Sequence, residues 1–182
     1  MKLNKSTLVA FVLLIVIGSV FRVMGFAPQI AMAIFGAAVI KDKKLAFVLP
    51  LVSMFLSDVL YEILFAYGYT NYGGFYEGQI SNYLLLAGIT LIGFLARDLK
   101  LKNIVLATLA APTVYFFASN FVVWFGGGGL QRPKTFEGLM MSFADGLPFF
   151  RSSLVYTIIF SAVLFGGYFL VHRFVMHKKQ LA

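Results

Sequence analysis

The stretch LAFVLPLVSMFLSDVLYEILFA, residues 45–66, decides the fold, because it can cross a bilayer as one helix and carries two carboxylates. A spanning helix needs about 20 mainly apolar residues, so this run predicts a transmembrane segment. Asp58 and Glu62 lie one helical turn apart and therefore share a helix face. An ionisable group at membrane depth costs roughly 2.5–3.5 kcal/mol on insertion scales and usually faces a protein interior or a wet cavity. This pair is the first candidate for a functional site.

The composition of the whole chain also indicates a membrane protein. Its 182 residues are 60% hydrophobic and only 12% charged, whereas soluble domains are about 25% charged. No polar linker divides the chain, so we expect one integral membrane domain over residues 1–182, in contact with the lipid bilayer. The net charge of +8 comes from short clusters between apolar runs. Because these clusters form no basic stripe interleaved with aromatics, we do not expect nucleic acid as a partner.

Six apolar runs predict an all-α membrane protein built as a six-helix bundle. The runs cover residues 7–24, 27–40, 45–66, 81–96, 104–125 and 153–175. The second run, of about 14 residues, is short for a crossing. The basic clusters at residues 2–5, 41–44, 97–102 and 173–179 support it, because six crossings place all four clusters on one side. The positive-inside rule makes that side cytoplasmic, with both termini in the cytoplasm.

Two longer connections face the other side. Residues 67–80 form an outer loop rich in tyrosine, without Lys or Arg. Residues 126–152 form the second outer loop, which we expect to act as a lid. Its stretch 135–150 is amphipathic enough to lie along the interface or plug a cavity. Ser152 or Ser153 is expected to cap the last helix.

The charged residues near this outer side have more than one interpretation. Asp58 either lines an outward pocket, where it accepts hydrogen bonds from cargo, or pairs internally with Arg22 or Arg151 and fixes helix packing. For Glu62, close to the interface, a solvated carboxylate is the stronger alternative. For Arg22, a side chain that snorkels to the headgroups is favoured over a pair with Asp58.

Polar and aromatic residues from other segments fall toward the same side. Taken singly, Asn120 is typical of an interhelical hydrogen bond and Trp124 of an interfacial aromatic belt. Taken together, they indicate a cup with apolar walls and a few converging polar groups, which is how small ligands are held. The candidate substrate-binding residues are Gln29, Asp58, Tyr61, Glu62, Asn82, Asn120, Trp124, Phe149 and Arg151.

The sequence offers little for catalysis. It contains no phosphate-binding loop of the G-x-x-x-x-G-K-[ST] type and no Gly-x-Ser-x-Gly motif. His172 and His177 lack the spacing and the carboxylate company of a helical zinc site. We therefore expect no enzyme activity, no catalytic residues, no metal and no cofactor.

Four stretches resemble a known family. FAPQIAMAIFGAAVI, LAFVLPLVSMFLSD, ASNFVVWF and GLPFFRSSL are similar to an uncharacterised bacterial family of transport proteins that is related to the S components of energy-coupling-factor (ECF) vitamin transporters. The resemblance implies a protein of the bacterial inner membrane that captures a small micronutrient, a vitamin or its precursor, on its outer face. It also implies a transmembrane coupling protein with two ATPases as a partner. The alternative is a non-transporting membrane scaffold or assembly factor in which Asp58 only locks the packing.

Overall fold

The computed structural model describes the backbone of residues 5–180 and the side chains of residues 8–173. Within that part of the chain, four helices are long and apolar enough to cross a membrane, and two shorter ones are also apolar. This confirms the prediction of an all-helical, membrane-like fold, while the number of crossings stays a prediction. In chain order the helices are α1 (Lys5–Val23), α2 (Gln29–Val39), α3 (Lys43–Ala66), α4 (Gln79–Gly93, extended by a 3-10 turn at Phe94–Ala96), α5 (Leu101–Gly126) and α6 (Phe136–Gln180).

The shortest helix, α2, lies at the centre of the bundle. It packs against all five other helices, and residues 29–38 are buried. Its 11 residues span about 16 Å at 1.5 Å per residue, roughly half of a hydrocarbon core of about 30 Å. Close approach depends on small residues, since a Cβ on Gly93 of α4 would come within 2.8 Å of both Ala37 and Ile34. The second apolar run is therefore a buried core helix.

Arg97 brings two of the basic clusters to one end of the bundle. Its guanidinium donates to the main-chain carbonyls of Ala37 (3.1 Å), Ile40 (3.1 Å) and Lys41 (3.2 Å). These carbonyls belong to the last turn of α2 and to the two residues that follow the helix, where acceptors have no N–H partner within the helix. The clusters at residues 41–44 and 97–102 thus lie side by side, at what we call the basic end. We call the opposite end, where residues 67–78 connect α3 to α4, the tyrosine end.

The longest helix, α6, departs most from the prediction. We expected residues 126–152 to form a loop, but the structure leaves only residues 127–135 between α5 and α6. The helix begins at Phe136 and runs for 45 residues through Pro148. Ser152, expected as an N-terminal cap, lies inside the helix and donates to the carbonyl of Pro148 at 3.4 Å. Ser153 is likewise an interior helical residue.

Packing against α5 explains why this stretch is helical. The rings of Phe116 and Phe150 lie 4.8 Å apart, and those of Phe117 and Phe143 lie 5.2 Å apart. Gly146 faces Asn120 so closely that a Cβ would overlap the amide. A proline and glycines weaken a helix locally, but these tertiary contacts offset that cost. Residues 126–152, predicted to be a loop, therefore form the last residue of α5, the connection between α5 and α6 and the first turns of α6.

Candidate functional site

Asp58 is the centre of a buried polar cluster near the tyrosine end. Its side chain is 1% exposed, and one carboxylate oxygen pairs with the guanidinium of Arg22. The other oxygen accepts hydrogen bonds from the amide of Gln79 (2.5 Å) and the hydroxyl of Tyr83 (2.5 Å). Of the two interpretations of Asp58, the structure has the internal ion pair. The expectation that Arg22 snorkels to the headgroups was wrong, because a buried carboxylate within reach is a better partner.

Arg22 is held on α3 by several groups. Besides Asp58, its Nη1 donates to the hydroxyl of Ser57 at 2.6 Å and to the carbonyl of Met54 at 3.4 Å. The hydroxyl of Tyr61 donates to the Arg22 carbonyl at 2.9 Å, and its ring centroid lies 5.6 Å from the guanidinium carbon. Within the described residues, Nε and Nη2 of Arg22 make no hydrogen bond. The guanidinium is thus fixed on one side and keeps donors free on the other.

Residues 67–78, which we call the tyrosine loop, are fastened to α3 by its second carboxylate. The Glu62 carboxylate accepts hydrogen bonds from the main-chain N–H groups of Gly74 (2.9 Å) and Phe75 (3.3 Å). Gly74 lies against the backbone of Asp58 so closely that a Cβ would overlap its carbonyl oxygen. The amide of Gln79 donates to the Gly74 carbonyl at 3.1 Å. Glu62 is therefore a loop anchor, which differs from both the cargo-binding and the solvated carboxylate that we had considered.

A cavity of about 320 Å³ lies beside Arg22. All six helices and the tyrosine loop contribute to its wall, and the N-terminal end of α2 lines it with Gln29 and Ile30. The polar or aromatic side chains that line it are Arg22, Gln29, Tyr76, Asn82, Tyr115, Phe149, Ser152, Ser153 and Tyr156.

The polar groups of this cavity are partly engaged with one another. The amide nitrogen of Gln29 donates to the carbonyl of Gly18 at 3.3 Å. The side-chain oxygen of Gln29 has no partner among the described residues. Asn82 donates to the hydroxyl of Tyr76 and accepts from that of Tyr115 at 3.3 Å. No Asp or Glu is among the described residues that line the cavity. Among the described residues that line it, Arg22 alone is charged, and its charge is balanced by Asp58 in the ion pair.

Two further hollows adjoin the cavity along the α5–α6 hairpin. One, of about 240 Å³, shares Tyr115, Phe149 and Ser153 with it. The other, of about 450 Å³, lies between Trp124 and Asp145 and shares Phe149 again. Phe149, which is 78% exposed, lines all three spaces.

The connection between α5 and α6 closes over the last of these hollows. The indole of Trp124 donates to the carbonyl of Pro133 at 2.8 Å. Lys134 donates to the carbonyl of Phe125 at 2.9 Å and lies 5.2 Å from the Trp124 ring centroid. Arg132 binds the carboxylate of Asp145 through two hydrogen bonds of 2.9 Å. This connection is compact and internally bonded.

Residues 2–180 match the model of a protein family described as a family of unknown function, DUF6580. The chain belongs to this family. The match covers all six helices of the DUF6580 fold, so the ion pair, the cavity and both connections lie inside one family unit. No curated protein and no solved structure matches the chain. The description of DUF6580 names no activity, so function has to be argued from the site.

The structure divides the predicted site residues of this DUF6580 chain among neighbouring places. Gln29, Asn82 and Phe149 line the central cavity. Asn120 and Trp124 line the hollow under the α5–α6 connection.

The remaining predicted residues lie around the ion pair or away from these three spaces, and Asp58 and Tyr61 line, with Arg22, a further hollow of about 310 Å³ beside the tyrosine loop. Asp58, Tyr61 and Glu62 hold Arg22 and the tyrosine loop. Arg151 is exposed and lines none of the three hollows.

Sequence reasoning missed several residues of the cavity wall. Arg22 was considered only as a partner for a carboxylate or a headgroup, although it lines the cavity. Ser153 and Tyr156 are three positions apart on α6, a spacing that puts both on one helix face. That spacing was the signal available in the sequence. Among the described residues, no group of three His, Cys, Asp or Glu side chains lies together as a metal site would require.

Proposed function

We propose that this DUF6580 protein is a membrane-embedded binding component for the uptake of a small organic micronutrient, a vitamin or its precursor. The observation that supports this function is the cavity of about 320 Å³ lined by all six helices. Small-ligand sites usually measure about 300–1,000 Å³ and combine apolar walls with a few polar groups. If the basic end faces the cytoplasm of a bacterial inner membrane, the cavity lies toward the outside.

The wall chemistry assigns roles to individual residues under this proposal. Arg22, Gln29 and Asn82 orient the cargo through hydrogen bonds, and the rings of Tyr115 and Phe149 supply stacking surface. Asp58 does not contact cargo. It holds the guanidinium of Arg22 in place and balances its charge. A cavity with fixed donors and no carboxylate favours a molecule with hydrogen-bond acceptors over a cation.

The uptake role further needs an energy source or a gradient. The resemblance to ECF S components implies a transmembrane coupling protein with two ATPases, which would contact the helices from within the membrane. The contacts of Glu62 with the tyrosine loop provide a fastening that has to open if cargo enters from that side.

The decisive experiment identifies the small molecule that remains bound to the purified protein. Mass spectrometry of extracted ligand should find one compound in near-stoichiometric amount, and adding that compound should raise the melting temperature by mass action. The variant Ser153→Trp places an indole in the cavity and should lose both effects. Val155→Trp, on an exposed position of the same helix two residues away, is the matched control and should keep them. If no compound is retained, and no member of a vitamin panel stabilises the wild type more than Ser153→Trp, the uptake function is wrong.

A second function is favoured by a different observation. Both oxygens of Asp58 have protein partners, and the side chain is buried, as expected for a residue whose role is packing. A non-transporting membrane scaffold would need that ion pair and no ligand. Under this alternative, Asp58→Asn lowers the melting temperature by the same amount with and without every small molecule tested.

A further inference from the structure

An apolar groove runs between α5 and α6 toward the basic end, away from the central cavity. Its volume is about 500 Å³, and aliphatic and aromatic side chains from Leu101 to Leu109 and from Ile158 to Phe169 form most of its wall. The α6 side of the groove has small residues, Ala162 and Gly166, which lie one turn apart. A Cβ on Gly166 would meet nothing within 4 Å. Because its wall is almost entirely apolar, the groove suits a hydrocarbon chain.

Basic residues flank this groove where it reaches the basic end. Lys102 precedes Val105 of the groove by three positions, and Arg173 follows Phe169 by four, so each lies one turn beyond a groove residue on the same helix face. Both side chains are exposed. Lys100, in contrast, is paired with Asp98 at 3.4 Å. Lys102 and Arg173 therefore supply positive charge at the mouth of an apolar channel.

We infer that this groove binds an anionic phospholipid, with one acyl chain between α5 and α6 and the phosphate headgroup at Lys102 and Arg173. The apolar wall accommodates the acyl chain, and the two cations favour a headgroup with net negative charge. A Lys or Arg near an anionic lipid surface favours binding by roughly fivefold. Two such residues give a preference for an anionic over a zwitterionic headgroup of at least about fivefold, even if one contributes little. This site is separate from the proposed micronutrient cavity and does not depend on it.

Native mass spectrometry of the full chain tests the site with two probes that share their acyl chains. Dioleoyl phosphatidylglycerol is anionic, and dioleoyl phosphatidylcholine is zwitterionic. We expect the wild type to retain one phosphatidylglycerol at least about fivefold better than phosphatidylcholine. Lys102→Gln with Arg173→Gln should remove this preference. Gly166→Leu should fill the groove and lose retention of the bound lipid.

The adjacent glycine provides the matched control. Gly167 lies on the same helix, and a Cβ added there would also meet nothing within 4 Å, but it does not line the groove. Gly167→Leu should retain lipid as the wild type does, and leucine suits a helix better than glycine in both variants. Equal retention by Gly166→Leu and Gly167→Leu would overturn the site, as would a headgroup preference that survives the double substitution. A dimer that Gly166→Leu abolishes, in place of a lipid adduct, would show that a second chain occupies the groove and would also overturn it.

Discussion

Neutralising Asp58 should destabilise the fold through the positive charge that it leaves behind. In Asp58→Asn the side chain keeps its shape, but Arg22 loses the anion that balances it in a buried cluster. Removing one partner of a buried ion pair costs about 3–5 kcal/mol. Because Arg22 is 21% exposed, water screens part of its charge, and we expect the lower end, about 3 kcal/mol. For a chain of this size that corresponds to roughly 6–12 °C in melting temperature.

A double-mutant cycle separates the ion pair from general damage to the core. Arg22→Gln removes the cation and leaves Asp58 with its hydrogen bonds from Gln79 and Tyr83. The combined Asp58→Asn, Arg22→Gln variant has no unpaired charge, so it should lose less than the sum of the two single variants. We expect a coupling of about 1–3 kcal/mol, the range for residues in direct contact. Glu77→Gln, on an exposed loop position, is the carboxylate control and should stay within about 0.5 kcal/mol of the wild type.

The assay is thermal unfolding in one detergent, followed by the fluorescence of the single tryptophan and by circular dichroism. The reasoning is refuted if Asp58→Asn melts within about 2 °C of the wild type, since about 3 kcal/mol should move it further. It is also refuted if the two single effects add up in the double variant. Either result would mean that the ion pair is not what holds α1 against α3 at this level.

Three further predictions concern the connections between helices. Gly74→Ala should detach the tyrosine loop, because its methyl group would overlap the α3 backbone, and limited proteolysis should cut that loop several times faster. Gly88→Ala, where nothing lies within 4 Å, should instead be neutral or up to about 1 kcal/mol stabilising. Glu62→Gln keeps an acceptor for the loop N–H groups but loses the charge, so we expect about 1 kcal/mol of destabilisation and intermediate proteolysis. At the basic end, the N–H of Lys100 lowers the pKa of Asp98, so this carboxylate stabilises the fold above its unfolded pKa of about 4 and ceases to do so as pH falls through the lower folded value. A difference in melting temperature between wild type and Asp98→Asn at about pH 6 should therefore shrink as the pH falls below about 4, and a difference that grows in acid would contradict this sign.

The helices could be predicted from the sequence wherever hydropathy alone decides them. Apolar runs located α1 to α5 within a few residues, because in such a chain the length of the run limits the helix. The start of α6 could not be found in this way. Residues 136–150 contain Gly146 and Pro148, which oppose a helix locally, and only their contacts with Phe116 and Asn120 on α5 compensate. Contacts between segments are not visible in a single sequence.

The candidate site, like the helices, could be predicted only in part from the sequence. The cost of a buried charge indicated that Asp58 faces the protein interior, and the structure has it there. Its partner was uncertain, because a pairing across 36 positions depends on how two helices are rotated against each other. Glu62 was misjudged for another reason. Its partners are main-chain N–H groups of the tyrosine loop, and every non-proline residue offers such a group.

The cavity and the short central helix have one cause. α2 has 11 residues, which is about 16 Å of helix. The five α-helices around it are longer, with 15 to 45 residues. At the basic end Arg97 fixes its last turns, so the missing length falls at the other end, above Gln29. The neighbouring helices continue past that level and leave a space that Gln29 and Ile30 close from below. A longer α2 would fill this space with its own side chains. The shortness that made the second segment doubtful as a membrane crossing is therefore what creates the candidate binding site.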